Sequence, residues 1–145
     1  MKEKVIYLLL ILLILASCAG NRKYDDLMQR ADSIMDVNDD SAKVAIRMLD
    51  GVKPQLPEFS QSQKMRYELL RHKAMNKACI TFTSDSVMKE VVDYYDHHGS
   101  ANERMLANYV LGCVYRDLHE APMALEYYNK AVSYTHLTLP TKLEV

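Results

Sequence analysis

Three cysteines, two histidine-containing pairs and the double aspartate at 39–40 are the side chains with most chemistry to offer in this 145-residue chain. His97-His98, His119-Glu120 and Asp39-Asp40 are adjacent pairs. Neighbours on a helix point about 100° apart, so such pairs do not converge on a metal ion. His119-Glu120 is not followed by the second histidine that a helical zinc-protease motif requires. Cys79 and Cys113 lack CxxC or Cys/His spacing. No GxSxG, P-loop or dinucleotide fingerprint is present. Both cysteines stand at apolar positions in helical stretches, which predicts buried free thiols, although an oxidising compartment would permit a disulfide. The tyrosines have helical spacing, which predicts core positions rather than a stacking platform for nucleic acid. The expectation is a chain without catalytic residues, metal or cofactor.

Cys18 has a different setting. Two lysines in Met1-Lys2-Glu3-Lys4 precede an unbroken apolar run from Val5 to Leu15, then Ala16, Ser17 and Cys18. This is the layout of a secretory signal peptide, and the run is shorter than the roughly 20 residues of a spanning helix. Leu15-Ala16-Ser17-Cys18 resembles the lipobox of bacterial lipoproteins. The resemblance implies that residues 1–17 are removed and that a diacylglycerol is attached to Cys18. Residues 18–23, including Ala19-Gly20-Asn21-Arg22-Lys23, then form a polar tether. The acidic cluster that some lipoproteins carry just after the cysteine to reach the cell surface is missing, so the resemblance implies a periplasm-facing lipid anchor in the cell envelope, on the outer rather than the inner membrane. A formal net charge of −1 offers nothing to recruit nucleic acid.

The remaining chain must supply whatever this tether holds. The whole sequence holds only 4 Gly and 4 Pro, and no strand–turn–strand run appears, so the fold class expected is all-α. The spacing predicts a helix over 24–35 with Leu27, Met28, Ala31, Ile34 and Met35 on one face. A second, capped by Ser41, carries Val44, Ala45, Met48 and Leu49 and ends at Gly51. Pro54 and Pro57 mark the longest loop. A third helix is predicted over 61–81, with Met65, Leu69, Leu70, Ala74, Ala78 and Phe82 on its buried side. Ser84-Asp85-Ser86 opens a fourth, with Val87, Met88, Val91, Val92 and Tyr95 in its stripe and Gly99 at its end. A fifth runs over 102–118, and a sixth starts near Glu120 with Pro122 in its first turn.

Leu111-Gly112 and Tyr115, followed by Ala124, Tyr128 and Ala131, resemble a tetratricopeptide repeat, whose unit of about 34 residues pairs two helices. Asn108 stands where that family has its first aromatic. A shift of 33 residues sets Cys79 against Gly112, Phe82 against Tyr115, Val91 against Ala124, and Tyr94-Tyr95 against Tyr127-Tyr128. Ala45 and Leu49 would begin a more degraded copy. The resemblance implies antiparallel helix pairs over 24–131, stacked as an α-solenoid. It also implies a concave groove for a protein or peptide ligand, lined by Lys73, Asn76, Thr83, Tyr109, Arg116 and Asp117. Residues 132–145 break the pattern, and Val132 to Thr141 reads as translated sequencing adapter, so the repeats are expected to continue in the native protein beyond Ala131. The function expected is a membrane-tethered scaffold that binds a partner outside the cytoplasm. The alternative is the extracytoplasmic sensor region of a membrane-spanning transcriptional regulator.

Overall fold

The computed structural model describes residues 22–35, 37 and 40–136; the expected leader, Cys18 and residues 137–145 lie outside them. Among the described residues there are helices and connectors and no strand: α1 (22–34), α2 (Ser41–Asp50), a 3₁₀ turn (Lys53–Glu58), α3 (Gln61–Lys77), α4 (Ser86–His98), α5 (Ala101–Asp117) and α6 (Ala121–His136). Each of α2 to α6 packs against its neighbour in the chain, and α3 also touches α5. Contacts between Tyr115 and Asp85 at one end, and Arg104 and Tyr95 at the other, make α4 and α5 antiparallel.

The apolar stripes fill two cores that meet across α3. In the first, Met28, Ala31 and Met35 of the α1 segment close on Ala45 and Leu49 of α2 and on Tyr67, Leu70 and Ala74 of α3. Leu69, on the next face of α3, enters a second core with Met88, Val91, Val92 and Tyr95 of α4 and Val110, Leu111 and Val114 of α5. α5 is buried on almost every side because α3, α4 and α6 all lean on it.

The boundaries differ from the sequence reading in several places. Ser41 is the first helical residue of α2, with Asp40 before it making no side-chain cap. The Pro54–Pro57 stretch is a 3₁₀ turn, since a fixed φ near −65° suits that geometry. It delivers Phe59 onto Tyr24 and Tyr67. α3 ends at Lys77 rather than 81: Ala78 caps it and Cys79 turns into the left-handed region at φ 56°. Cys79 is consequently exposed, not a buried thiol, whereas Cys113 is buried; both are free. Phe82 is buried as expected, but from the connector between α3 and α4. α6 does not stop at Ala131; it continues through to His136, with Tyr134 Oη 3.5 Å from Asp96 Oδ1.

The first helices of the last two pairs correspond closely, though not at the expected shift. Ser60 and Ser100 each cap a helix with a reciprocal capping box, to Gln63 and Glu103. Cys79 and His119 each end one with positive φ, and these matches lie 40 residues apart. The paired tyrosines lie 33 apart: the longer connector 78–85 absorbs most of the difference, and the rest lies in where the pair falls within its helix. Cys79 therefore corresponds to the turn residue His119 and not to Gly112. Leu111 and Tyr115 are buried in α5, Val91 and Ala124 are buried in the second helices, and Ala131 is buried in α6.

Tyr67 is 1% exposed and its hydroxyl is buried without a well-formed hydrogen bond among the described residues, with the Arg71 guanidinium among its charged neighbours. An unmet buried hydroxyl costs about 1–3 kcal/mol, so Tyr67→Phe is expected to raise stability by about 1 kcal/mol, read as a higher urea midpoint with an unchanged m-value.

Candidate functional site

The six residues assigned to the groove divide into those the fold brings together and those it does not. Lys73 Nζ lies 2.7 Å from Asp32 Oδ1, so its charge fastens α3 to α1 and is not presented to a ligand. Thr83 stands on the connector before α4, exposed, away from the helical position assigned to it. The other four converge where the end of α3 meets the second half of α5. Arg116 donates from Nε and Nη2 to Asp117 Oδ1 at 2.9 and 2.8 Å, and from Nη2 to Asn76 Oδ1 at 3.3 Å. The Asp117 carboxylate also accepts the Phe82 backbone N–H through Oδ2 at 3.1 Å, which pins the connector to α5. Asp117 is thus a structural clasp, and Arg116 reaches outward from it. Tyr109, 44% exposed, stands over this cluster with its ring centroid 5.9 Å from that of Tyr128.

Gly112 explains why α6 sits here. A Cβ at that position would meet the Tyr128 ring at 2.6 Å and the Ala124 carbonyl at 3.3 Å, so only glycine lets the ring lie on the α5 backbone. Tyr128 then donates its hydroxyl hydrogen to Cys113 Sγ at 3.6 Å. Burial, with the Cys113 sulfur beside it, pushes the Tyr128 phenol up to about 12, and Cys113 and burial raise Tyr109 also. Both rings stay neutral hydrogen-bonding groups at any ordinary pH.

Beyond Tyr128 the surface turns apolar. Arg116, His119, Ala121, Ala124, Leu125 and Tyr128 line a groove of about 420 Å³ between the end of α5 and the start of α6. Leu125 is 61% exposed. It lies off the buried Ala124 and Ala131 face, and the groove residues expected from the sequence include neither it nor His119, which appears there only in its pair with Glu120. The signal was available: α6 carries more apolar residues than one buried stripe needs. Among the described residues no three His, Cys, Asp or Glu side chains gather as metal ligands, and no helix is long and apolar enough to cross a membrane.

His72 is the most buried histidine among the described residues, 8% exposed and stacked 5.7 Å from Phe82. Its Nδ1 lies 2.8 Å from the Glu68 carbonyl oxygen, so the neutral ring donates there. Burial holds this imidazole below its ordinary 6.5, against the pull of that carbonyl and with help from Arg71. A base with a lowered folded value binds fewer protons folded than unfolded, so its contribution is complete above about 6.5 and is lost as pH falls through the depressed value. Glu68, raised by burial above 4.5, works in the opposite direction in its own window. Urea midpoints at pH 7.5 and 5.5 are therefore expected to show acid destabilisation that His72→Gln largely removes.

No family model, no curated protein and no solved structure matches this chain.

Proposed function

We propose that the chain is a non-catalytic helical scaffold of tetratricopeptide type, tethered to a membrane through Cys18 outside the cytoplasm, which binds a protein or peptide partner. The supporting observation is the surface shared by α3, α5 and α6. An exposed aromatic ring, an outward guanidinium and the Asn76 amide border an apolar groove with unpaired aliphatic side chains. Monomeric proteins seldom leave such a mixture open without using it, because the apolar part gains only when covered. An extended or helical segment could seat an apolar side chain between His119 and Leu125. It could also offer a carbonyl or carboxylate to Arg116 and a backbone group to Asn76.

Arg116 is a poor single test, since removing it disturbs the clasp that holds Phe82. A photo-crosslinking amino acid at Tyr109 or Leu125 is the direct one, with a control at Arg30 on the outer side of α1. The expected result is one defined adduct from positions 109 and 125 in intact cells, none from position 30, and loss of the Tyr109 adduct when Leu125→Asp is added. Equal yields from all three positions would remove the groove from the account.

A further inference from the structure

A second cleft lies at the other ends of these helices. The first turn of α3, the last turns of α4, the first turn of α5 and Asp25 of α1 enclose about 400 Å³, and the wall carries Arg66, Tyr94, Tyr95, His98 and Glu103. Tyr94 and His98 stack face to face at 4.7 Å, and both also border an adjoining furrow that adds Glu90 and Asp93. Four carboxylates thus stand against the single guanidinium of Arg66, with His97 Nδ1 4.0 Å from Asp93 at the outer edge. Glu103 spends Oε2 on the Ser100 N–H and hydroxyl, and Asp25 spends Oδ1 on Gln63 Nε2. The second oxygen of each accepts nothing among the described residues.

Acidic walls alone do not make a site, but Tyr95 adds an independent sign. It is 4% exposed, its ring closes the floor of the cleft, and its hydroxyl has no hydrogen-bond partner among the described residues. That oxygen is not wholly sealed in protein, unlike the hydroxyl of Tyr67. Its charged neighbours are Glu103 and Arg66. A hydroxyl that a buried ring holds at a negatively lined cleft, without a protein partner among the described residues, favours a donor that also carries positive charge. Stacked aromatic faces beside it favour the same visitor, because a ring face attracts a cation.

We propose that this cleft receives a lysine or arginine side chain from a partner peptide. The cationic head donates hydrogen bonds to Asp25, Glu103 and the Tyr95 oxygen, while its methylene stem lies along Tyr94 and His98. A second basic residue of the same segment would reach Glu90 and Asp93. This site is separate from the groove between α5 and α6, and each can fail without the other.

The test uses the full chain in micelles of a neutral detergent and the probe acetyl-Gly-Lys-Gly-Lys-Gly-amide, with a norleucine analogue as the uncharged control. Amide chemical shifts are expected to move at Tyr94, Tyr95, His98 and Glu103 with the lysine peptide alone. Asp25→Asn and Tyr95→Phe should each weaken binding at least threefold, Arg66→Gln should tighten it, and Leu125→Asp should leave it unchanged. Should Tyr95→Phe not fold, Asp25→Asn decides. Equal binding of the norleucine peptide, or lysine-peptide binding indifferent to Asp25→Asn and Tyr95→Phe in folded protein, overturns the proposal. The second result would mean diffuse attraction to an acidic surface.

Discussion

Gly112→Val is expected to destabilise the fold by about 3 kcal/mol, and Gly112→Ala by about 1 kcal/mol, despite the better helix propensity of both replacements. Alanine's propensity gain over glycine is about 1 kcal/mol and opposes the clash, whereas the two extra methyls of valine have no space to enter. The Tyr128 ring is at 2.6 Å from where the first new carbon would stand, and the Ala124 carbonyl behind it is backbone that cannot swing aside. At about 4 °C per kcal/mol, the value where the smaller and larger domain classes meet, the valine variant should melt about 12 °C below the parent. A double-mutant cycle separates the clash from any general effect: with Tyr128→Ala in place, Gly112→Ala should become neutral or stabilising. The melt is read by circular dichroism. A valine variant that melts within a degree or two of the parent would mean that α5 and α6 do not meet at this glycine.

The second large effect concerns the tether. Cys18→Ser is expected to move the protein from the membrane fraction to the soluble one and to abolish its lipid mass increment. Each buried methylene contributes about 0.8 kcal/mol, so one chain binds marginally, while two or three hold nearly permanently. A serine at this position removes the thiol that would carry the diacylglycerol and leaves the apolar run Val5–Leu15 as the other membrane-seeking segment of the leader region. Fractionation with intact-mass measurement checks this. A Cys18→Ser protein that still sediments with membranes, without a lipid increment in either form, would show retention by an uncleaved leader instead.

The sequence carried the helices well because their apolar residues repeat at three and four. The first core is nearly the predicted stripe: Met28, Ala31 and Met35 against Ala45 and Leu49. It carried the end of α3 poorly. A left-handed turn usually announces itself with glycine or asparagine, and here cysteine and histidine occupy it. With that turn unseen, the apolar spacing of Ala78 and Phe82 extended the helix by a full turn, and the repeat was aligned through the wrong residues. The groove inherited the error. Thr83 was set opposite Arg116 by the 33-residue shift, yet the residue of α3 that Arg116 touches is Asn76, 40 positions earlier. Lys73 failed for another reason. Its partner Asp32 is 41 positions away on α1, and long-range ion pairs leave no periodic trace in the sequence.

The long connector 78–85 is where the two helix pairs differ most. It is held by three contacts that a plain repeat would not need: Phe82 stacked on His72, the Phe82 N–H on Asp117, and Asp85 on the Tyr115 hydroxyl. Asp117 and Tyr115 therefore have structural work on the far side of the surface that Arg116 and Tyr109 offer to solvent. Packing and recognition meet on one helix, which is why reading α5 by its exposed positions alone assigned ligand contact to a residue that serves as a clasp.

The central claim is that a partner lies across the end of α3, the second half of α5 and the start of α6. Once a segment crosslinked from position 109 has been sequenced, its synthetic peptide can be titrated into the ¹⁵N-labelled chain. The account predicts amide shifts gathered at Asn76, Tyr109, Arg116, His119, Leu125 and Tyr128, with Asp26, Gln29 and Arg30 on the outside of α1 unmoved. Shifts confined to that outer face of α1, or no shifts in the helices at saturating peptide, would contradict it.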